Sequence, residues 1–189
     1  MKTIMKTIVF CLEEPSAREM LKGLSPRIFH DKIAVRYIVF EGKQDMEKQI
    51  VKRLRNWKTP DTQFIVIRDQ DAARCEDVKQ RLKQLCAAAN RPGAVVRIAC
   101  HELESWYLGD LSAVEVGLKI KNLKKYERKA KYKNPDGMIN PSRELQLLTK
   151  NQYQKVSGSR NIGPHLNISG NNSHSFHVLI KSLVGFAKM

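Results

Sequence analysis

Four short apolar runs, at 6–12, 33–40, 63–68 and 94–100, alternate with stretches whose apolar residues recur at helical spacing. The runs are rich in β-branched and aromatic residues and polar on both flanks, as in strands buried on both faces. Between them, Met46, Ile50, Val51 and Leu54 form one helical stripe, and Val78, Leu82, Leu85 and Cys86 another. The pattern predicts helices at about 17–24, 45–56 and from 72 or 75 to 90. The spacing of Ser16 and Glu19 suits a capping box at the first of these, and Ser25-Pro26 ends it. Strands alternating with helices of this length predict βαβ units and a parallel sheet.

Right-handed crossovers place the carboxyl ends of all four strands on one edge, where open α/β sheets bind ligands. Three of these ends carry acids: Glu13 and Glu14, Asp69 and Asp71, and Glu102 and Glu104. Carboxylates gathered so closely repel one another unless a proton or a cation lies between them. A hard divalent ion, Mg²⁺ or Mn²⁺, is the simplest resolution, with Glu13, Glu14, Asp69, Asp71, Glu102 and Glu104 as candidate ligands. The competing reading makes Asp71 a helix cap and leaves Glu13 beside a helix dipole.

Beyond residue 110 the character changes. A short helix capped by Asp110 runs to about 116. Lys119, Lys121, Lys124, Lys125, Arg128, Lys129, Lys131 and Lys133 then face one acid, Glu127, and after Asp136 the only acid left is Glu144. Short helices are expected at 142–149 and 175–187. Gly, Ser and Asn between 156 and 173 predict a loop. This organisation divides the chain into an α/β unit at 1–116 and a basic helical and loop extension at 117–189, packed on the same body.

Over all 189 residues, 34 Lys+Arg against 19 Asp+Glu give a net charge of +15, which points to a polyanionic partner, nucleic acid first. The lysines and arginines at 119–133, with Arg160, are the candidate phosphate contacts, and Tyr126 or Tyr132 a candidate base-stacking ring. An ordinary solvated helix face is the alternative. No run is long enough to span a membrane, and the N-terminus lacks a signal peptide's apolar core, so a cytoplasmic location is expected. Cys11, Cys75, Cys86 and Cys100 contain no Cys-x-x-Cys pair and read as free thiols rather than zinc ligands. Lys155 and Arg160 would either hold a phosphate or lie in a solvated loop. His165, His174 and His177 are weaker candidates for a general base, and Trp106 and Tyr107 are expected in the core.

A glutamate after the first strand, a turn and helix, and Asp-x-Asp after a later strand resemble the Toprim domain of topoisomerases, DnaG-type primases and overcoming-lysogenization-defect nucleases. Leu12-Glu13-Glu14-Pro15-Ser16, Arg68-Asp69-Gln70-Asp71 and Cys100 to Asp110 are similar to a bacterial Toprim-like family encoded beside ATPases in phage-defence or abortive-infection loci. The stretches 153–159 and 173–176 share this resemblance, which covers nearly the whole chain. It implies a Toprim/Rossmann-like, mostly parallel four-stranded sheet flanked by helices, with a basic, mainly helical C-terminal extension. It also implies that Glu13, Asp69 and Asp71 bind Mg²⁺ and support phosphoryl transfer, the glutamate also acting as acid or base. The usual Glu-Gly is Glu13-Glu14 here, so either glutamate is a candidate for that role.

Two functions follow. One is a metal-dependent nuclease acting on DNA or RNA, with Glu13, Asp69, Asp71 and Lys155 in catalysis and an ABC- or AAA-type ATPase as partner in anti-phage defence. The other is a non-catalytic nucleic-acid-binding or regulatory subunit that keeps the fold.

Overall fold

The computed structural model describes residues 6–30 and 33–188; the lysine-bearing start of the chain lies outside them. The four apolar runs form β1 (Thr7–Leu12), β2 (Ala34–Val39), β3 (Thr62–Asp69) and β4 (Val95–Ala99). They make one sheet in the order β2-β1-β3-β4, every neighbouring pair parallel. Strand order reverses between β1 and β3, the point where ligands bind in open sheets of this kind.

Alternation along the central strands divides the core into two layers. Ile8, Phe10, Leu12, Ile65 and Ile67 face one cluster; Val9, Cys11, Phe64 and Val66 face the other. The second face is covered by α3 (Lys43–Arg55) and α4 (Cys75–Ala88), which bury Met46, Ile50, Leu54, Val78, Leu82 and Cys86 as their stripes predict. The first face is covered by α1 (Pro15–Leu24), the short α2 (Pro26–Phe29) and α10 (His174–Lys188), with Phe176, Leu179, Ile180 and Leu183 buried. This same cluster takes in Trp106, Tyr107, Leu111, Tyr132, Leu145 and Tyr153, so the basic C-terminal part shares the core of the α/β part.

Beyond β4 come α5 (Glu104–Leu108), α6 (Leu111–Gly117), α7 (Ala130–Lys133), α8 (Pro141–Leu148) and α9 (Lys155–Ile162), with 3-10 turns at Lys124–Arg128, Pro135–Gly137 and Gly163–His165. The Asp110 carboxylate accepts from the Ala113 N–H and caps α6 as expected. Among the described residues no helix is long and apolar enough to cross a membrane. All four cysteines are free thiols, Cys11 and Cys86 buried and Cys75 and Cys100 half-buried.

Two local expectations fail. The first helix starts at Pro15, whose ring presets the first helical position, and no side chain caps it. Ser16 instead donates to Glu14 at 3.3 Å, and Glu19 turns away to Arg160. The second failure is the loop expected over 156–173, where residues 155–162 form α9. Glycine and serine serve close approach there. A Cβ on Gly158 would lie 2.5 Å from the Tyr153 ring, and one on Gly163 would lie 2.5 Å from the Met20 carbonyl oxygen of α1.

Glu19 locks this contact. Its buried carboxylate takes Arg160 of α9 at 2.8 Å and Arg18 and Lys22 at 3.0 Å each. The Arg160 hydrogen bond leads the causes that pull its pKa down to about 2. A depressed carboxylate pKa adds stability above the ordinary value of 4.5 that is lost as the pH falls towards 2. The three cations are all partly solvated, so the network contributes modestly. Glu19→Gln is expected to cost about 1–2 kcal/mol in urea denaturation at pH 7, with the difference shrinking on acidification.

Candidate active site

Register sets the centre of the site. Leu12 of β1 pairs with Ile67 of β3, so Glu13 emerges beside Arg68 and Asp69 at the switch point. The Asp69 N–H donates to Glu13 Oε2 at 3.2 Å. Glu104, the first residue of α5, reaches the same centre from the end of β4 and is fully buried. Its Oε1 accepts from the Tyr153 hydroxyl at 2.8 Å, while its Oε2 is buried with no hydrogen-bond partner. A small cleft of about 10 Å³ between Glu13, Glu14, Ser16, Arg68 and Asp69 has room for about one ion or water.

The turns after β3 and β4 are stapled together at this edge. Asp71 and His101 both adopt left-handed backbone conformations, φ 56° and 58°. The Asp71 N–H donates to the His101 carbonyl at 2.8 Å, and the His101 ring reaches the Asp71 carbonyl at 3.2 Å. Because α4 begins only at Cys75, Asp71 does not cap it. Its Oδ2 instead accepts from Lys43 Nζ at 2.8 Å.

Crowded carboxylates show their mutual repulsion. Burial first, then the charges of Glu104 and Glu13, hold the Asp69 carboxyl well above the usual range. Burial likewise raises Glu104 against the pull of Lys155 and Tyr153, and raises Glu13, with Asp71 adding to it. Lys155 opens α9 and donates to Glu14 Oε2 at 2.9 Å. Burial disfavours its charge, but the Glu14 hydrogen bond and the charges of Glu104, Glu14 and Asp69 outweigh this and raise its pKa.

Glu13, Glu14, Asp69, Asp71, Glu104 and Lys155 thus meet at one edge. Glu102 turns aside, its Oε2 accepting from the Ser142 N–H at the start of α8 at 2.7 Å. Arg160 is held by Glu19 and, like Lys155, stands on a helix rather than in the solvated loop. Lys119, Lys121, Lys124, Lys125, Arg128, Lys129, Lys131 and Lys133 are all exposed. Lys131 pairs with Glu144 at 2.7 Å. Tyr132 is buried and donates to Glu144 at 2.6 Å, so it cannot stack on a base; Tyr126 is flanked by Lys125 and Lys129. The His177 ring bonds the Asn171 carbonyl, and Trp106 and Tyr107 are fully buried.

Three participants carry no clear mark in the sequence: Lys43, Arg68 and Tyr153. Arg68 is buried, 3.8 Å from Glu13 Oε2 through its Nε and 2.6 Å from Glu47 Oε1 through Nη1. A charged residue inside an apolar strand end is its only signal. For Lys43 the signal is its place as the first helical residue after β2, on the shared edge.

Fold and site together define an α/β protein of Toprim-like architecture with a carboxylate cluster and a lysine at the carboxyl edge of its sheet. The chain belongs to the family described as a domain of unknown function, DUF4276, whose model matches residues 12–183. Among solved structures it is similar to the C-terminal region of the OLD protein of Xanthomonas campestris pv. campestris. That likeness has a TM-score of 0.50 at 12% identity, covers 96% of this chain and 95% of the other, and shows a shared fold. No curated protein matches the chain.

Proposed function

We propose that the protein is a metal-dependent nuclease that hydrolyses phosphodiesters of DNA or RNA at the Glu13–Asp69–Glu104 centre. The observation that carries this is the convergence of three buried or half-buried carboxylates, each with a raised pKa, at one end of the sheet, close enough for the charges of Glu104 and Glu13 to act on Asp69. Their all-oxygen donor set suits Mg²⁺ or Mn²⁺, and the unpartnered Glu104 Oε2 is a free donor for such an ion. Glu13, Asp69 and Glu104 would hold it, with Asp71 and Glu14 released from their lysines to complete the shell. Among the described residues no three such side chains form a ready-made metal shell, so holding an ion would require the carboxylates to draw together. A divalent ion held there would supply positive charge to the reacting phosphodiester oxygens and lower the pKa of a water.

The chain's own groups do the rest. The Lys155 ammonium is placed to neutralise a phosphate oxygen once it leaves Glu14. Glu13, its pKa raised by burial, is suited to take a proton from water at its carboxylate. In this reading the chain is an effector of anti-phage defence working with an ABC- or AAA-type ATPase in the cytoplasm, as the family resemblance implies. A second reading, a non-catalytic nucleic-acid-binding subunit, is favoured by Lys43 and Lys155, whose ammonium groups already neutralise Asp71 and Glu14.

Incubation with plasmid, linear duplex and single-stranded RNA, in Mn²⁺, Mg²⁺ or EDTA, separates the two. Cleavage is expected only with metal, lost in Glu13→Gln and weakened by about ten-fold in Glu14→Gln, which loses an outlying oxygen of the proposed shell. Cleavage that persists in EDTA, or survives intact in Glu13→Gln, contradicts the nuclease reading.

A further inference from the structure

A second feature lies on the opposite face of β3 from the basic C-terminal segment. Between α3 and α4 runs an open groove of about 480 Å³ lined by Lys43, Gln44, Glu47, Lys48, Arg68 and Arg81. Four of its six lining side chains are cationic and one is anionic. The groove is continuous with the carboxylate centre through two shared residues. Lys43 ion-pairs with Asp71 at 2.8 Å, and Arg68 lies between Glu13 at 3.8 Å and Glu47 at 2.6 Å.

Arg68 is only 7% exposed, and its Nε is buried without a hydrogen-bond partner. A buried guanidinium with an unfilled donor is costly unless an anion completes its shell. Glu47 fills part of that need from within, since its two oxygens take Arg68 at 2.6 Å and Arg81 at 3.3 Å. One carboxylate bridging two guanidinium groups has the charge and oxygen spacing of a phosphate, which arginine recognises in the same forked manner. Arg81 and Lys48 stand exposed at the rim, free to exchange Glu47 for an incoming anion.

We propose that the α3/α4 groove is a phosphate track for a nucleic-acid strand, in which backbone phosphates replace the Glu47 carboxylate on Arg81 and are handed by Lys43 towards the carboxylate centre. The inference rests on the nuclease reading for what happens at that centre, but binding in the groove requires no cleavage. The strand would therefore enter from the α3/α4 side, and not only across the lysines at 119–133.

Fluorescence anisotropy of a labelled single-stranded oligonucleotide, titrated in EDTA over a range of salt, tests this apart from catalysis. On a single strand, removing one cation that neutralises a phosphate lowers the slope of log K against log salt by about 0.7. Lys48→Ala/Arg81→Ala is expected to reduce the slope by about 1.4 and weaken binding at low salt by about ten-fold or more. Glu47→Gln removes the internal competitor and should tighten binding several-fold. Asp61→Asn, the same charge change at the far edge of the sheet, should tighten it less than about two-fold. Circular dichroism and thermal melts confirm that each variant is folded. An unchanged slope in the double variant, equal effects of Glu47→Gln and Asp61→Asn, or no binding by the wild type overturns the proposal. Failure of metal-dependent cleavage with the slope change intact would instead remove the nuclease reading and leave the track standing.

Discussion

Asp69→Asn is expected to abolish metal-dependent cleavage, by at least about a thousand-fold, while making the metal-free protein more stable. Both effects have one origin. Asp69 closes β3 among Glu13, Glu104 and Glu14, and burial plus these charges hold its carboxyl well above the usual range. Between the ordinary carboxylate value and that raised value, the folded chain binds more protons than the unfolded one. Stability is therefore highest at the acidic end of this window and falls as the pH rises through it. Asparagine keeps the shape and removes the charge. Urea denaturation at about pH 7.5 in EDTA should show the variant more stable by on the order of 1 kcal/mol, the gain vanishing towards about pH 4. A variant less stable than wild type under the same mildly alkaline conditions would mean that Asp69 is a structural carboxylate and not a strained ligand.

Gly163→Ala is expected to be strongly damaging for so conservative a change. The added methyl would sit 2.5 Å from the Met20 carbonyl oxygen and 2.9 Å from the Met20 Cα, both backbone atoms in the middle of α1. No rotamer change relieves a backbone clash, so α1 and the α9 end must move apart. Overpacking of this kind costs about 1–3 kcal/mol or more. The separation also spreads the Glu19–Arg160 pair between the two helices and the Glu14–Lys155 pair at their starts. Thermal melting and cleavage should fall together in this variant. Gly93→Ala is the control, because a Cβ there meets nothing within 4 Å. Equal melting temperatures for the two would show that α1 and α9 are not held at this distance.

The sheet is legible in the sequence because its strands are continuous apolar runs with polar borders, a signal independent of what packs on them. The acids at three strand ends are legible for the same reason, since parallel order fixes where strand ends go. Glu13, Asp69 and Glu104 meet as that order requires, whereas Glu102, two residues from Glu104, is turned to α8 by the single turn between β4 and α5. The stretch that forms α9 reads as loop because Ser157-Gly158-Ser159 has the composition of a flexible segment. Those residues are small so that Tyr153 and α1 can come close, and composition does not separate the two causes. The roles of Tyr153 and Arg68 are not legible in the sequence because they depend on partners 49 and 21 residues away. The capping box fails because Pro15 can start a helix unaided and Glu19 has a stronger partner in Arg160.

Central to the proposed function is that the crowded carboxylates at the switch point of the sheet take a divalent ion. Calorimetric titration of Mn²⁺ into the wild type and into Asp69→Asn/Asp71→Asn tests this without a substrate or a partner protein. One saturable site per chain in the wild type, absent from the double variant, is the predicted result. Binding of equal strength in both proteins, or none in either, would contradict it.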